Sequence, residues 1–232
     1  MNFLKIFIDI FAPKKCYWCW NIGSFLCKKC LIDVNKFEDC CYICKQKSSN
    51  FIIHNYCLNN KIFFDRIFVL YHYKDKNIKK LVKDAKFYHN KDIFIDLWEN
   101  LWELLIQNLD ILDKNIVLIP TPMYFFKKLL RWYNQSEILV KSVAKYLKLD
   151  YHFKFVKKVK NTKPQSHLSK MQRIDNLKKC YKIDKNLLKK YKNKTIIIID
   201  DVVSTWTTIN EISKLLKQSW IKTVYWLCIA SD

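Results

Sequence analysis

Residues 196–208 read IIIIDDVVSTWTT, and this stretch decides the fold. Four consecutive isoleucines have neither the alternation of a half-exposed strand nor the spacing of an amphipathic helix. They predict a strand over Thr195–Ile199 that is buried on both faces, as in the middle of a parallel sheet. Such a strand delivers Asp200 and Asp201 to its carboxyl end, where open α/β sheets bind ligands. The hydroxyl-rich turn that follows opens a helix, and free amides at a helix N-terminus suit a phosphate. Adjacent carboxylates suit a vicinal diol, because each accepts a hydroxyl hydrogen bond.

Outward from this stretch, strands and helices alternate. Strands are expected at Arg66–Tyr73, Ile116–Ile119, Tyr151–Val156 and Thr223–Ile229, and helices at Asn77–Phe87, Asp92–Leu109, Ser136–Leu147 and Thr208–Leu216. This order predicts an α/β domain with a mainly parallel sheet over residues 61–232. Pro120–Asn134 reads as a long connection rich in Lys and Arg.

Residues 1–60 differ in character. The apolar positions Leu4, Phe7, Ile8 and Phe11 fit a short amphipathic helix stopped at Pro13. Eight of the ten cysteines then lie between Cys16 and Cys57. Cys16-x2-Cys19 and Cys27-x2-Cys30 form two CxxC pairs, each able to present two thiolates from one tight turn, and together they can close a tetrahedral zinc shell. Cys41-x2-Cys44 with His54-x2-Cys57 gives a second, Cys3His set, with Cys40 spare. With no export signal evident, paired cysteines point to structural zinc rather than disulfides, and to the cytoplasm. No apolar run is long enough to span a membrane.

The chain has 232 residues and a formal net charge of +21, which favours an acidic partner such as phosphate or nucleic acid. Tyr42, Phe51 and Tyr56 beside the cysteine turns are either module core or platforms for single-stranded bases. Glycine is anomalous. One residue, Gly23, stands where average usage gives roughly 16, beside eight tryptophans.

These segments together resemble a known family. Residues 196–208 resemble the phosphoribosyl-pyrophosphate (PRPP) motif of type I phosphoribosyltransferases. Arg131-Trp-Tyr-Asn-Gln135 is similar to the RGFNQ of the ComF/GntX competence-type branch. Gln165-x2-Leu168-Ser169-x3-Arg173-x2-Asn176 is similar to its QxxLSxxxRxxN, and Ala85-Lys86-Phe87 to its lysine motif. A two-part cysteine module before the transferase domain is also that branch's layout. The resemblance implies a type I phosphoribosyltransferase fold behind a small zinc module. It implies Asp200 and Asp201 on the ribose hydroxyls, directly or through Mg²⁺, and Arg131 over pyrophosphate in a lid formed by 120–134. Ser204, Thr205, Trp206, Thr207 and Thr208 would cradle the 5′-phosphate, with Lys86 also binding PRPP. It further implies a role in DNA uptake beside single-stranded DNA and a competence helicase or recombination mediator. Catalysis in nucleotide salvage and a non-catalytic DNA-handling role both remain open, and the acceptor is not legible.

Four departures from the family pattern share one form. Trp20, Trp132, Trp206 and Trp220 all stand where the family has glycine. The expectation is that UGA codons, read as glycine in some bacterial lineages, have been decoded here as tryptophan. Glycine at all eight tryptophan positions would bring the count to nine.

Overall fold

The computed structural model describes residues 11, 13–34, 36–58, 61–87, 91–108, 115–162, 179–203 and 206–232. The amphipathic helix expected before Pro13 and the motif from Gln165 to Asn176 lie outside the described residues, as do Ser204 and Thr205.

Five parallel strands form the main sheet in the order β1-β7-β6-β2-β3. They are β1 (Arg66–His72), β2 (Ile116–Pro120), β3 (Asp150–Tyr151), β6 (Thr195–Val203) and β7 (Val224–Ser231). The isoleucine run sits where its composition requires. Ile196–Ile199 are fully buried in β6, paired to Val117–Pro120 on one side and Val224–Leu227 on the other. The strand is longer than expected and runs through both aspartates to Val203.

Helices α3 (Lys76–Phe87), α4 (Lys91–Asn108), α6 (Gln135–Leu147) and α8 (Trp206–Gln218) fall close to their expected places. Asn134 begins α6 by accepting the Ser136 amide on its side chain, a normal helix cap. Two expectations are corrected. Tyr151–Val156 is not one strand, because the chain leaves the sheet after Tyr151 and Val156–Lys158 (β4) pairs antiparallel with Tyr181–Ile183 (β5). The connection 120–134 is not all loop, since Phe125–Arg131 forms α5, a helix with no buried residue. A further helix, α7 (Lys185–Tyr191), precedes β6, and Asp184 caps it by accepting the amides of Asn186 and Leu187.

Among the described residues the cysteine segment contains α1 (Lys28–Ile32), α2 (Asn55–Leu58), a 3-10 turn at Ser49–Phe51 and tight turns. It docks on the sheet's β1 edge. Lys36 and Ile52 bridge to Tyr71 and Arg66, and the Phe51 ring meets Phe68 edge-on at 5.5 Å. Tyr42 and Ser231 hydroxyls pair at 2.9 Å. Lys14 and the Phe25 amide both bind the Asp96 carboxylate on α4. These bridges cover an edge that would otherwise offer unpaired backbone groups. Tyr42 and Phe51 are therefore buried core and present no face to a base, while Tyr56 remains exposed.

Candidate functional site

Near the carboxyl end of β6, Asp201 is buried and Asp200 half-buried, and the two point into separate hydrogen-bond sets. Asp200 Oδ1 accepts the Ser136 hydroxyl at 3.1 Å and the Asp201 amide at 2.9 Å. Asp201 Oδ2 accepts Gln135 Nε2 at 3.1 Å and pairs with Lys86 Nζ at 2.9 Å, while its Oδ1 accepts the Val202 amide. Burial pushes the Asp200 carboxyl up to about 7, helped by the charge of Asp201 and opposed by Lys86. For Lys86, burial favours the neutral amine, but the charge and hydrogen bond of Asp201 outweigh it and hold the ammonium above its ordinary value. The site thus holds a partly compensated negative pair that a hydroxyl donor or a cation would satisfy.

Lys86 reaches Asp201 from the end of α3, and Tyr133 secures that end by donating its hydroxyl to the Ala85 carbonyl at 2.6 Å. Gln135 and Ser136 come from the first turn of α6, whose start is held by Asn134 donating to the Thr121 carbonyl at 3.1 Å. Sequence reasoning gave neither residue a role; Gln135 closed a quoted motif, and its polar character directly before a helical run was the available signal. Trp206 opens α8 half-buried against the core, and Thr207 and Thr208 follow it, also half-buried. Thr208 is hydrogen-bonded to Tyr181. Arg131 closes α5, one turn from Tyr133. Lys86, Gln135, Ser136, Asp200 and Asp201 are brought together; Ser204 and Thr205 lie outside the described residues.

The residues at the aspartates fit a magnesium ion only in part. A hard dication takes oxygen ligands. Asp201 is committed to Lys86, whereas among the described residues Asp200 accepts from a hydroxyl and an amide.

Both cysteine clusters have the compactness a zinc ion needs. The ligand atoms of Cys16, Cys19, Cys27 and Cys30 lie within 4.8 Å of one another, as do those of Cys41, Cys44, His54 and Cys57. Cys19 and Cys27 sulfurs are 3.6 Å apart, and Cys44 Sγ lies 3.4 Å from His54 Nδ1. A tetrahedral shell with Zn–S near 2.3 Å has edges of ~3.8 Å. The thiols are polarised unequally. Burial pushes Cys16 up, but the amides of Cys19, Cys27 and Trp18 outweigh it and hold it at about 6. Cys30 is pushed up to about 12, first by burial. Either cluster could hold zinc.

Three of the four tryptophans at family glycine positions occupy the left-handed region: Trp20 at φ 62°, Trp132 at 63° and Trp220 at 69°. Their side chains are 73%, 86% and 76% exposed, so no packing holds these indoles there. Trp226 differs: it is fully buried in β7 and donates its indole N–H to Ser213 at 2.9 Å.

Comparison with known proteins agrees with this geometry. Residues 134–231, which include α6, β6, α8 and β7, match the phosphoribosyl transferase domain. Competence protein F of Haemophilus influenzae is 28% identical over 208 residues, covering 86% of this chain and 87% of that protein. DNA utilization protein YhgH of Salmonella typhi is 29% identical over 112 residues, 48% of each chain, and that of Escherichia coli K12 is 26% identical over the same length. No described helix is long and apolar enough to cross a membrane. The parallel sheet that ends in an aspartate pair thus lies within a region similar to the phosphoribosyl transferase domain, and the chain as a whole is similar to Competence protein F.

Proposed function

We propose that this chain binds PRPP at the carboxyl end of β6 and acts in competence-linked DNA uptake as a phosphoribosyltransferase. The observation that carries the reading is the pair of half-buried Asp200 and buried Asp201, held by Ser136, Gln135 and Lys86 ahead of α8. In this reading the carboxylates accept the two ribose hydroxyls. The turn from Ser204 to Thr208, including Trp206, would cradle the 5′-phosphate, whose charge the α8 N-terminus favours. Transfer breaks the C1–O bond of PRPP through a cation-like ribosyl group, and pyrophosphate leaves as a nucleophilic acceptor bonds to C1. The chain's task is to orient the ribose, spread the leaving group's charge and exclude water. Arg131 and α5 lie over the pyrophosphate side, and Lys86 fixes the geometry of Asp201. Asp200 is the carboxylate that would hold a magnesium ion, which would supply positive charge to the leaving pyrophosphate.

The cysteine module is structural, with one zinc in each cluster, and residues 1–60 serve as a buttress for 61–232 in the cytoplasm. Trp20, Trp132, Trp206 and Trp220 stand for native glycines encoded by UGA. Left-handed φ at three of them, with solvent around each indole, supports this. Trp226, packed and hydrogen-bonded, reads as a true tryptophan. Intact mass of protein from the native organism decides it: a mass with tryptophan at all four positions overturns the glycine reading.

A second reading is favoured by the names of the relatives, which concern competence and DNA utilization. Here the same site binds PRPP or phosphate without turnover. Pyrophosphate release from PRPP with a panel of bases, with and without single-stranded DNA, separates the two. Release with any acceptor supports transfer; tight PRPP binding without release under every condition supports the accessory role.

A further inference from the structure

Beside the aspartate site, α5 and the β4 strand form the walls of a groove of about 370 Å³. Phe125 lines one wall and Phe153 the other, and Lys128, Lys154, Lys157 and Lys158 surround them. Phe125 is 65% exposed on a helix that buries nothing, so core packing does not account for its ring being there. Tyr151 lies 5.1 Å from Phe153 and Phe126 lies 5.8 Å from Phe125, which extends the aromatic surface at both walls.

The charges here are poorly balanced. Lys128 is paired with Glu137 and Lys157 with Asp184. Lys127 and Lys158 instead converge on Thr162, donating to its carbonyl at 3.4 Å and its hydroxyl at 2.8 Å. Neither they nor the exposed Lys154 pairs with a carboxylate among the described residues. Burial lowers Lys158 to about 8, with the charge of Lys127 adding to it. Two ammonium groups held against each other, with no carboxylate paired to either among the described residues, favour an incoming anion.

We infer that the groove between α5 and β4, lined by Phe125, Phe153, Lys154 and Lys158, is a binding surface for single-stranded nucleic acid. Aromatic rings standing among lysines suit a chain whose bases are free to stack and whose phosphates repeat beside them. A duplex hides its base faces and offers the rings nothing. A bilayer surface favours Phe125 and Leu129 on α5 but does not enter a groove to reach Lys158. The inference rests on the proposed DNA link and gives it a location different from the buried Tyr42 and Phe51.

The test uses the full zinc-loaded chain and a labelled oligothymidylate of about 20 nucleotides, read by fluorescence anisotropy at two salt concentrations. The parent is expected to bind with an affinity that falls steeply as salt rises. Phe125→Ala, on a helix without buried residues, should weaken binding about fivefold or more. Lys154→Glu should weaken it and flatten the salt dependence, while PRPP affinity by calorimetry stays at the parent value. If both variants bind DNA like the parent, the groove is overturned and the DNA link survives elsewhere on the molecule. If the parent binds no oligothymidylate even at low salt, the groove and the DNA link both fail. Equal affinity for duplex overturns the stacking role. Sedimentation with anionic vesicles that Phe125→Ala abolishes, with DNA affinity unchanged, assigns the surface to lipid and also overturns the proposal.

Discussion

The cysteine module and the sheet domain reach fixed structures by different means. The sheet is held by volume: Ile196–Ile199, Trp226 and Leu227 are fully buried in its central strands. The module has two helices of five and four residues, and its centres are the two four-ligand clusters. One region's stability is spread over many apolar contacts; on the proposed zinc reading, the other's depends more on a few ligand bonds. Removing ligands should therefore collapse the module and leave the sheet, and removing core volume should do the reverse.

The largest expected effect follows from that contrast. Structural zinc in small modules contributes on the order of 10 kcal/mol. Chelation, or Cys27→Ala for the first cluster, should unfold residues 14–58 while β6 keeps its amide protection. Hydrogen exchange reads both regions in one sample. Simultaneous loss of protection in β6 would show that the two regions stand or fall together.

A smaller effect lies at the aspartates. The folded-state value of Asp200, about 7, is above an ordinary carboxylate's, so the folded chain binds more protons than the unfolded one between about pH 4 and 7. Stability of the ligand-free chain should therefore fall as pH rises through that window. Asp200→Asn should remove this slope, leaving the variant more stable than the parent at pH 7 and no more stable below about pH 4. Denaturant titrations at several pH values check the sign, and parallel curves for the two proteins would contradict it.

The smallest effects concern the tryptophans, where sign matters more than size. Trp132→Gly and Trp220→Gly should each stabilise by ~1 kcal/mol, because a left-handed backbone strains any side chain and little burial is lost. Trp226→Gly should destabilise by several kcal/mol through cavity formation. Thermal unfolding of the three variants reads this directly. Destabilisation at 132 and 220 would mean that the indoles do hold the turns.

How much the sequence disclosed follows the same division. Buried strands were legible because Ile196–Ile199 have no solvent face to blur them, and the CxxC pairs were legible because ligand spacing is a local property. Helix α5 was not, because Phe125, Phe126, Leu129 and Leu130 all face solvent and leave no core-facing stripe. The single strand expected over Tyr151–Val156 broke because Phe155 is buried outside the sheet, beside Tyr191. Gln135 and Ser136 act across some sixty residues of chain on Asp201 and Asp200, and no local pattern announces such a contact.

The central claim is that Asp200 and Asp201 bind the ribose of PRPP. Its direct test is titration calorimetry of PRPP with magnesium in a Trp206→Gly background, with and without Asp200→Ala/Asp201→Ala. Charge-assisted hydrogen bonds contribute roughly 1.5–3 kcal/mol each, so losing both carboxylates should weaken PRPP by at least a hundredfold, with the far-ultraviolet spectrum unchanged. Equal PRPP affinity in the two proteins would contradict the account.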